Sequence, residues 1–213
     1  MNNKNTPQKD KFILNSDRIQ ALTDGIFAIA MTLMVLGIDL PKSLNEVDSN
    51  SLGKYLLSLR QDFFHYFLSF ILLSLFWVEH HQQFYYIKKI NRKALWINIF
   101  NLLFVALFPF STSLMGDYAS QSIAAVFFIS NLLVIEIFFY LNWVNAISHK
   151  ELIVSDINEG IIFEKKSHHL FFIIMSLICL VLAFIIPEWS TLPFVLTFFH
   201  RSILKDKKNL QNK

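Results

Sequence analysis

Charged residues are scarce in this sequence of 213 residues. Asp, Glu, Lys and Arg make up only 16% of the chain, whereas 54% of its residues are hydrophobic, which exceeds the apolar share of an ordinary soluble domain. The apolar residues gather in six runs, at 18–41, 55–78, 94–115, 122–144, 170–186 and 191–204. The composition therefore predicts an all-α polytopic membrane protein with six transmembrane helices, of which the last is short and marginal.

Cysteine is also nearly absent. The single Cys179 lies inside an apolar run and can form no intrachain disulfide. The sequence contains no glycine-rich phosphate loop, no nucleophile paired with a base and no metal-ligand spacing, so we predict neither an enzyme nor a metal or cofactor site. Adjacent His80 and His81 point about 100° apart on a helix, which favours a structural or pH-sensitive role over joint metal ligation.

Basic residues are missing from alternate connections. Of the 19 Lys and Arg residues, all but Lys42, Lys54 and Arg60 lie near the termini or after the second and fourth runs. By the positive-inside rule this pattern predicts a cell-membrane protein with both termini in the cytoplasm. We divide the chain into a cytoplasmic segment at 1–17, a transmembrane unit at 18–204 and a cytoplasmic tail at 205–213. The net charge of +3 reflects this topology and indicates no nucleic-acid partner.

Two polar connections carry further expectations. Asp39 lies at the end of the first run, and Glu46 and Asp48 follow it. These acids belong either to a solvated outer loop or to a mouth that concentrates cations. The connection 149–169 mixes both charge signs and is predicted to be a cytoplasmic loop. Its last two residues, His168 and His169, are expected to be solvated.

The first run is unusual because it contains an acid. Asp24 and Thr23 fall on one side of a helical wheel, whereas Ile29, Leu33, Leu36 and Leu40 fall on the other, with Thr32 at the edge of that stripe. The run is too long to be a cleaved signal peptide, and it lacks the cleavage site of one. A carboxylate inside a membrane points at protein rather than lipid. The aliphatic stripe then faces the core, the lipid or a pore.

Polar residues of three predicted helices share one level of the membrane. Trp77, His80 and His81 arrive at the cytoplasmic end of the second span, and Asn98 and Asn101 begin the third. Asp24 lies at a similar height, because it follows Arg18 by six residues at about 1.5 Å each. We expect a hydrogen-bonded layer that locks the first helix to the second and third.

A second acid lies within the fourth span. Glu136 is either a proton-coupling carboxylate or an acid that is hydrogen-bonded inside the helix bundle. The first alternative would fit a proton- or sodium-coupled secondary transporter that uses Asp24, Glu136 and the histidines as a relay. Against it, the sequence shows no inverted repeat and no pair of broken helices.

Three ordered motifs resemble one known family. Arg18-x-x-x-Leu22-Thr23-Asp24 resembles the Arg-x-x-x-Phe-Ser-Asp signature of the transmembrane protein 175 family of potassium channels. The residues Trp77-x-x-His80-His81-x-x-Phe84 form a second block. A third block joins Asn101-Leu-Leu-Phe to Pro109-Phe-Ser-Thr. Leu22 and Thr23 depart from the signature, and Leu22 removes an aromatic packing surface.

The resemblance implies a homotetramer in the lipid bilayer whose first helices line a pore for potassium ions. It places the constriction at Ile29, with further apolar rings at Leu33 and Leu36 and a polar ring at Thr32. It also implies a layer that stabilises the first helix, made of Arg18, Thr23, Asp24, Trp77, His80 and Asn101. Selection would then depend on the dehydration of the ion rather than on a carbonyl filter.

Overall fold

The computed structural model describes residues 13–38 and 49–195, and this part of the chain is built of helices with two short strands. The elements are α1 (Asp17–Leu33), α2 (Ser49–Ser58), α3 (Arg60–Tyr86), α4 (Arg92–Asp117), α5 (Ser122–Ile147), α6 (Glu159–Ile185), β1 (Ile13–Asn15) and β2 (Lys89–Asn91). All these helices except α2 are long and apolar enough to cross a membrane, and a 3₁₀ turn extends α1 to Gly37. Five predicted spans thus correspond to helices. Most of the sixth, at 191–204, lies outside the described residues, as do Asp39, Leu40, Glu46 and Asp48.

The helices differ from the predicted spans at their polar ends. The second span begins at Arg60 rather than at residue 55, because the residues before it form the separate helix α2. Helix α6 begins at Glu159, so the loop predicted at 149–169 is wrong over its second half. The helix includes polar residues that precede the apolar run, because backbone hydrogen bonds form there as well. The Asn158 side chain accepts a hydrogen bond of 2.7 Å from the Gly160 amide and so starts the helix.

The two strands join the start of α1 to the connection between α3 and α4. They pair antiparallel, with Leu14 opposite Ile90, and the Lys88 amide donates to the Leu152 carbonyl at 2.9 Å. Helix α4 starts directly after β2, where the Asn91 side chain accepts from the Ala94 amide at 2.8 Å. We call the end of the bundle that carries the strands the inner end, and the opposite end the outer end.

Two apolar clusters hold the helices together. The larger cluster lies between α1, α3, α4, α5 and α6, and its fully buried members include Leu72, Val105, Phe128 and Ile135. The smaller cluster lies at the inner end beneath the strands. Its buried residues are Ile19, Phe84, Ile87, Ile90, Ala94, Trp143 and Ala146. The start of α1 is therefore fixed by packing as well as by strand pairing.

The outer end of α1 lies directly against α4. A Cβ atom added at Gly37 would lie 3.0 Å from the Cβ atom of Ser113 and 3.1 Å from its hydroxyl oxygen. These distances are shorter than ordinary van der Waals contacts, so glycine is what permits this close approach. Helix α1 is thus held to the rest of the chain at both ends.

Candidate functional site

Helix α1 has one buried face and one exposed face. Thr23, Phe27, Ala30 and Met34 recur at intervals of three and four residues and are all buried against the bundle. The opposite face carries Ile29, Leu33 and Leu36, whose exposed fractions are 59%, 46% and 73%. The stripe predicted from the sequence is therefore not part of the core of this chain.

Thr32 belongs to the same exposed face. Its hydroxyl lies 2.9 Å from the Ile29 carbonyl oxygen and 3.1 Å from that of Ala28, and it donates back to the helix. Because the single hydroxyl proton is used inside the helix, the oxygen lone pairs remain available on the exposed side. Such an oxygen is suited to contact a cation rather than an anion.

Asp24 is bound to the neighbouring helix by a hydrogen bond. The indole Nε1 of Trp77 in α3 donates to Asp24 Oδ1 at 2.9 Å. The Trp77 ring also lies 6.0 Å from the ring of His81. Because its two partners lie on different helices, this hydrogen bond couples the position of α1 to that of α3.

The other members of the expected polar layer lie apart from this contact. The Thr23 hydroxyl donates to the Ile19 carbonyl within α1 at 2.8 Å. Arg18 is exposed and lines a groove with Leu14 and Leu22. His80 is buried, with its ring 4.4 Å from that of Phe84.

Two atoms of this layer remain unpaired within the part of the chain that the structure describes. His80 Nε2 and Asn101 Oδ1 are buried there without a hydrogen-bond partner. Buried polar atoms normally have one. Among the described residues, the contact of this layer that joins α1 to a neighbouring helix is the bond between Asp24 and Trp77.

A second cluster of polar side chains lies deeper in the bundle. The sequence did not predict that His169 and Lys165 belong to it. His169 and Glu136 are both buried, and His169 Nδ1 lies within hydrogen-bond distance of Glu136 Oε1. Lys165 Nζ lies 2.8 Å from Glu79 Oε1 and 2.7 Å from Gln82 Oε1. The expectation that His169 is solvated is wrong, because α6 carries it into the membrane-spanning bundle.

The spacing of residues along α6 does contain a signal for this cluster. His169, Phe172, Ser176, Cys179 and Ala183 recur at intervals of three and four residues, and all are buried. A helix with that spacing presents one continuous face. The face becomes visible only if the helix is allowed to begin within the charged stretch before residue 170.

A chain of amide hydrogen bonds leads into the cluster from α4. Asn98 Nδ2 lies 3.2 Å from Asn142 Oδ1, and Asn142 Nδ2 lies 3.3 Å from Gln83 Oε1. Gln83 Nε2 in turn lies 3.0 Å from His169 Nε2. The cluster therefore links α3, α4, α5 and α6. In residues 13–38 and 49–195 no group of three His, Cys, Asp or Glu side chains is arranged to hold a metal ion.

Comparison with other sequences finds relatives. A sequence model of the family described as "Endosomal/lysosomal potassium channel TMEM175" matches residues 18–109. The chain is 32% identical over 139 residues to a potassium channel of Chamaesiphon minutus, an alignment that covers 64% of this chain and 68% of that protein. A potassium channel of Streptomyces collinus is 34% identical over 117 residues, which are 53% of this chain and 55% of that relative. The chain thus spans about half the length of the second relative.

A solved structure has the same fold. The crystal structure of a lysosomal potassium-selective channel TMEM175 homolog from Chamaesiphon minutus superposes with a TM-score of 0.75 at 28% sequence identity. The superposition covers 86% of this chain and 95% of that one. The arrangement of helices described above is therefore one that a membrane channel adopts.

Proposed function

This chain belongs to the TMEM175 family, and we propose that it conducts potassium ions passively across the cell membrane. In this proposal residues 18–204 form the channel unit of a homotetramer, and the first helix of each subunit lines a central pore. Residues 1–17 and 205–213 lie in the cytoplasm. Two relatives that are named potassium channels support the choice of ion.

One observation carries the proposal, namely the composition of the exposed face of α1. Ile29, Thr32 and Leu36 follow one another along this face, and Arg18 at its inner end is exposed as well. A lipid-facing stripe would not have an exposed guanidinium in line with it. The face is better suited to water, ions and other copies of α1 than to hydrocarbon.

The proposed selection step is partial dehydration at Ile29. Four Ile29 side chains around the axis form a narrow apolar ring, and an ion that crosses it loses part of its water shell with little replacement. Potassium holds its water less tightly than sodium and so crosses at the lower cost. Leu33 and Leu36 add further apolar rings, and the Thr32 oxygens contact the partly hydrated ion next to the constriction.

The rival function is a coupled carrier that uses Asp24 and Glu136 together. In the described structure Asp24 is bound to Trp77, whereas Glu136 belongs to a separate buried cluster with His169. The two carboxylates lie on different helices, and each is held by a different partner. This separation favours a pore along α1 over a relay through both acids.

Purified protein in potassium-loaded liposomes tests the function. After dilution into a buffer with an impermeant cation, we expect tracer potassium to cross without any proton or sodium gradient. Glu136→Gln should still conduct passively, because the proposed pore does not pass through α5. Flux that appears only when a proton or sodium gradient is supplied, and that Glu136→Gln abolishes, would establish the carrier instead. Empty liposomes and liposomes with a potassium ionophore set the lower and upper limits of the assay.

A further inference from the structure

Arg18 lies on the same side of α1 as the apolar stripe. It precedes Ile29 by 11 residues and Thr32 by 14 residues, which correspond to about three and four turns of a helix with 3.6 residues per turn. All three side chains are exposed. The stripe therefore ends in a guanidinium group, about 16 Å from the level of Ile29 at a rise of about 1.5 Å per residue.

The backbone on either side of Arg18 is fixed. The Ser16 amide donates to the Lys88 carbonyl oxygen at 3.3 Å, and the Ser16 carbonyl oxygen accepts from the Ile19 amide at 3.1 Å. The Ile19 side chain is buried in the apolar cluster beneath the strands. Arg18 lies between these two residues, so its side chain projects from a part of α1 that is held in place.

The Arg18 side chain lines an apolar groove at the inner end. The groove has a volume of about 510 Å³, and its lining also includes Leu14, Leu22, Ile90 and Leu95. An arginine in such a place packs its methylene groups against the apolar surface and keeps its charged head in water. None of the ion pairs found among residues 13–38 and 49–195 includes Arg18.

The two acids of α1 face other directions. Successive residues on a helix point about 100° apart, so Asp17 lies to one side of Arg18. It belongs to the first turn, where free backbone N–H groups stabilise a carboxylate. Asp24 lies about 120° from Arg18 on the same count, and it accepts the hydrogen bond of 2.9 Å from Trp77 of α3. Arg18 is thus the charged residue of α1 that lies in line with the stripe.

We propose that Arg18 makes the channel conduct potassium more readily inward than outward. This inference rests on the proposed channel function, in which four copies of α1 surround the axis. Their guanidinium groups then form a cationic ring at the cytoplasmic mouth, and the potential of this ring lowers the local concentration of potassium. Ions that enter from the cytoplasm are depleted, whereas ions that enter from the outer side reach the constriction first. The ring alters rates and not equilibria, so the reversal potential is unchanged.

The salt concentration determines the size of this effect. Four unit charges at about 10 Å from an ion in water, the spacing of packed helices, lower its concentration by about sevenfold when the screening length is about 30 Å, at about 0.01 M salt. At about 1 M salt the screening length is about 3 Å, and the depletion is close to nil. An asymmetry that arises from Arg18 must therefore disappear as salt is added.

Current–voltage curves from excised inside-out patches test the inference, because the orientation of the channel is then known. With about 0.01 M potassium chloride on both faces, we expect the wild-type inward current to exceed the outward current by about sevenfold at equal and opposite voltages. The ratio should fall towards one when N-methylglucamine chloride, whose cation is too large to permeate, raises the ionic strength to about 1 M.

Substitutions of Arg18 separate the effect of its charge from a structural role. At low salt, Arg18→Lys should keep the asymmetry and Arg18→Gln should give equal currents in both directions. Arg18→Glu should invert the asymmetry, because an anionic ring concentrates potassium at the cytoplasmic mouth. Lys150→Gln is the matched control, since it removes an exposed cation that follows α5 at the inner end and should keep the wild-type ratio. A purely structural role would change the number of active channels without this dependence on the sign of the charge.

The outcomes distinguish the inference from the proposed function. Equal asymmetry in the wild type and Arg18→Gln, or an asymmetry that persists at about 1 M salt, overturns the cationic ring and leaves the channel intact. Equal wild-type currents in both directions at low salt overturn the ring even if the substitutions of Arg18 fail to fold. Absence of potassium current from the wild type at every salt concentration overturns the channel itself.

Discussion

Replacement of Ile29 by asparagine is expected to raise potassium flux and to weaken selection against sodium. The Asn side chain brings a carbonyl oxygen and an amide to the narrowest ring of the proposed pore, and these groups replace part of the water that the ion loses there. A barrier lowered by about 1.4 kcal/mol corresponds to about tenfold higher flux. Tracer flux of both ions through liposomes, measured against protein content, gives the two rates.

The control for Ile29→Asn is the same substitution on a different helix. Ile178 in α6 is 46% exposed, lies in a membrane-spanning helix and is remote in sequence from α1. Ile178→Asn introduces the same polar group and should leave both rates near those of the wild type. Equal rates for Ile29→Asn and the wild type would exclude Ile29 as the constriction. Higher flux in both variants would indicate a leak from altered insertion rather than a change in the pore.

The largest loss of stability is expected for Lys165→Met. Lys165 is the closest cation to Glu79, whose side chain is only 4% exposed. Removal of one partner from a buried ion pair costs about 3–5 kcal/mol. We expect a lower apparent melting temperature in detergent and a smaller fraction of monodisperse protein, measured by size-exclusion chromatography after heating.

The neighbouring residue provides the matched control for that loss. Lys166 is next in sequence, is also partly exposed, and changes the net charge by the same amount when replaced by Met. Lys166→Met should melt close to the wild type. If both variants melt alike, the bond between Lys165 and Glu79 does not stabilise the fold. The double variant Lys165→Met with Glu79→Met should recover much of the stability, because an apolar pair replaces the ion pair.

The sequence predicted the two faces of α1 because the helical period separates its residues into two sets. The helical period places Thr23 opposite Ile29, Leu33 and Leu36, and the structure has Thr23 buried and the other three exposed. Phe27 and Ala30, which were not predicted, share the buried face with Thr23. Periodicity alone could not decide what covers the exposed set. That decision depends on other copies of the chain and on lipid, which a single sequence does not specify.

Prediction from hydropathy failed where helices extend beyond the apolar layer. Glu159 and Lys165 appear in a mixed-charge segment that is typical of a loop, yet they belong to the first turns of α6. A transmembrane helix can begin well before its hydrocarbon-spanning part, because its backbone hydrogen bonds need no apolar side chains. The burial of His169 follows from this earlier start.

The sequence predicted that these polar residues share one level of the membrane, but it did not predict which of them contact one another. Asp24 and Trp77 are bonded as that level suggested, but Thr23 bonds to its own backbone and Asn101 retains an unpaired oxygen within the described residues. The rise per residue of a helix sets the height of a side chain in the membrane, but it does not determine the rotamer of that side chain. Which two of several polar groups meet depends on packing details that the sequence pattern does not contain.

The attachments of α1 determine how it can move. Pairing of β1 with β2 fixes the segment before its first turn, and the contact of Gly37 with Ser113 fixes its last turn. Between these supports lies Gly25, where an added Cβ would meet nothing within 4 Å. A helix that is held at both ends cannot slide along its axis, and it bends most near its middle. In the channel that we propose, Ile29 lies in this middle part. A small bend of each first helix therefore changes the pore diameter most at the constriction.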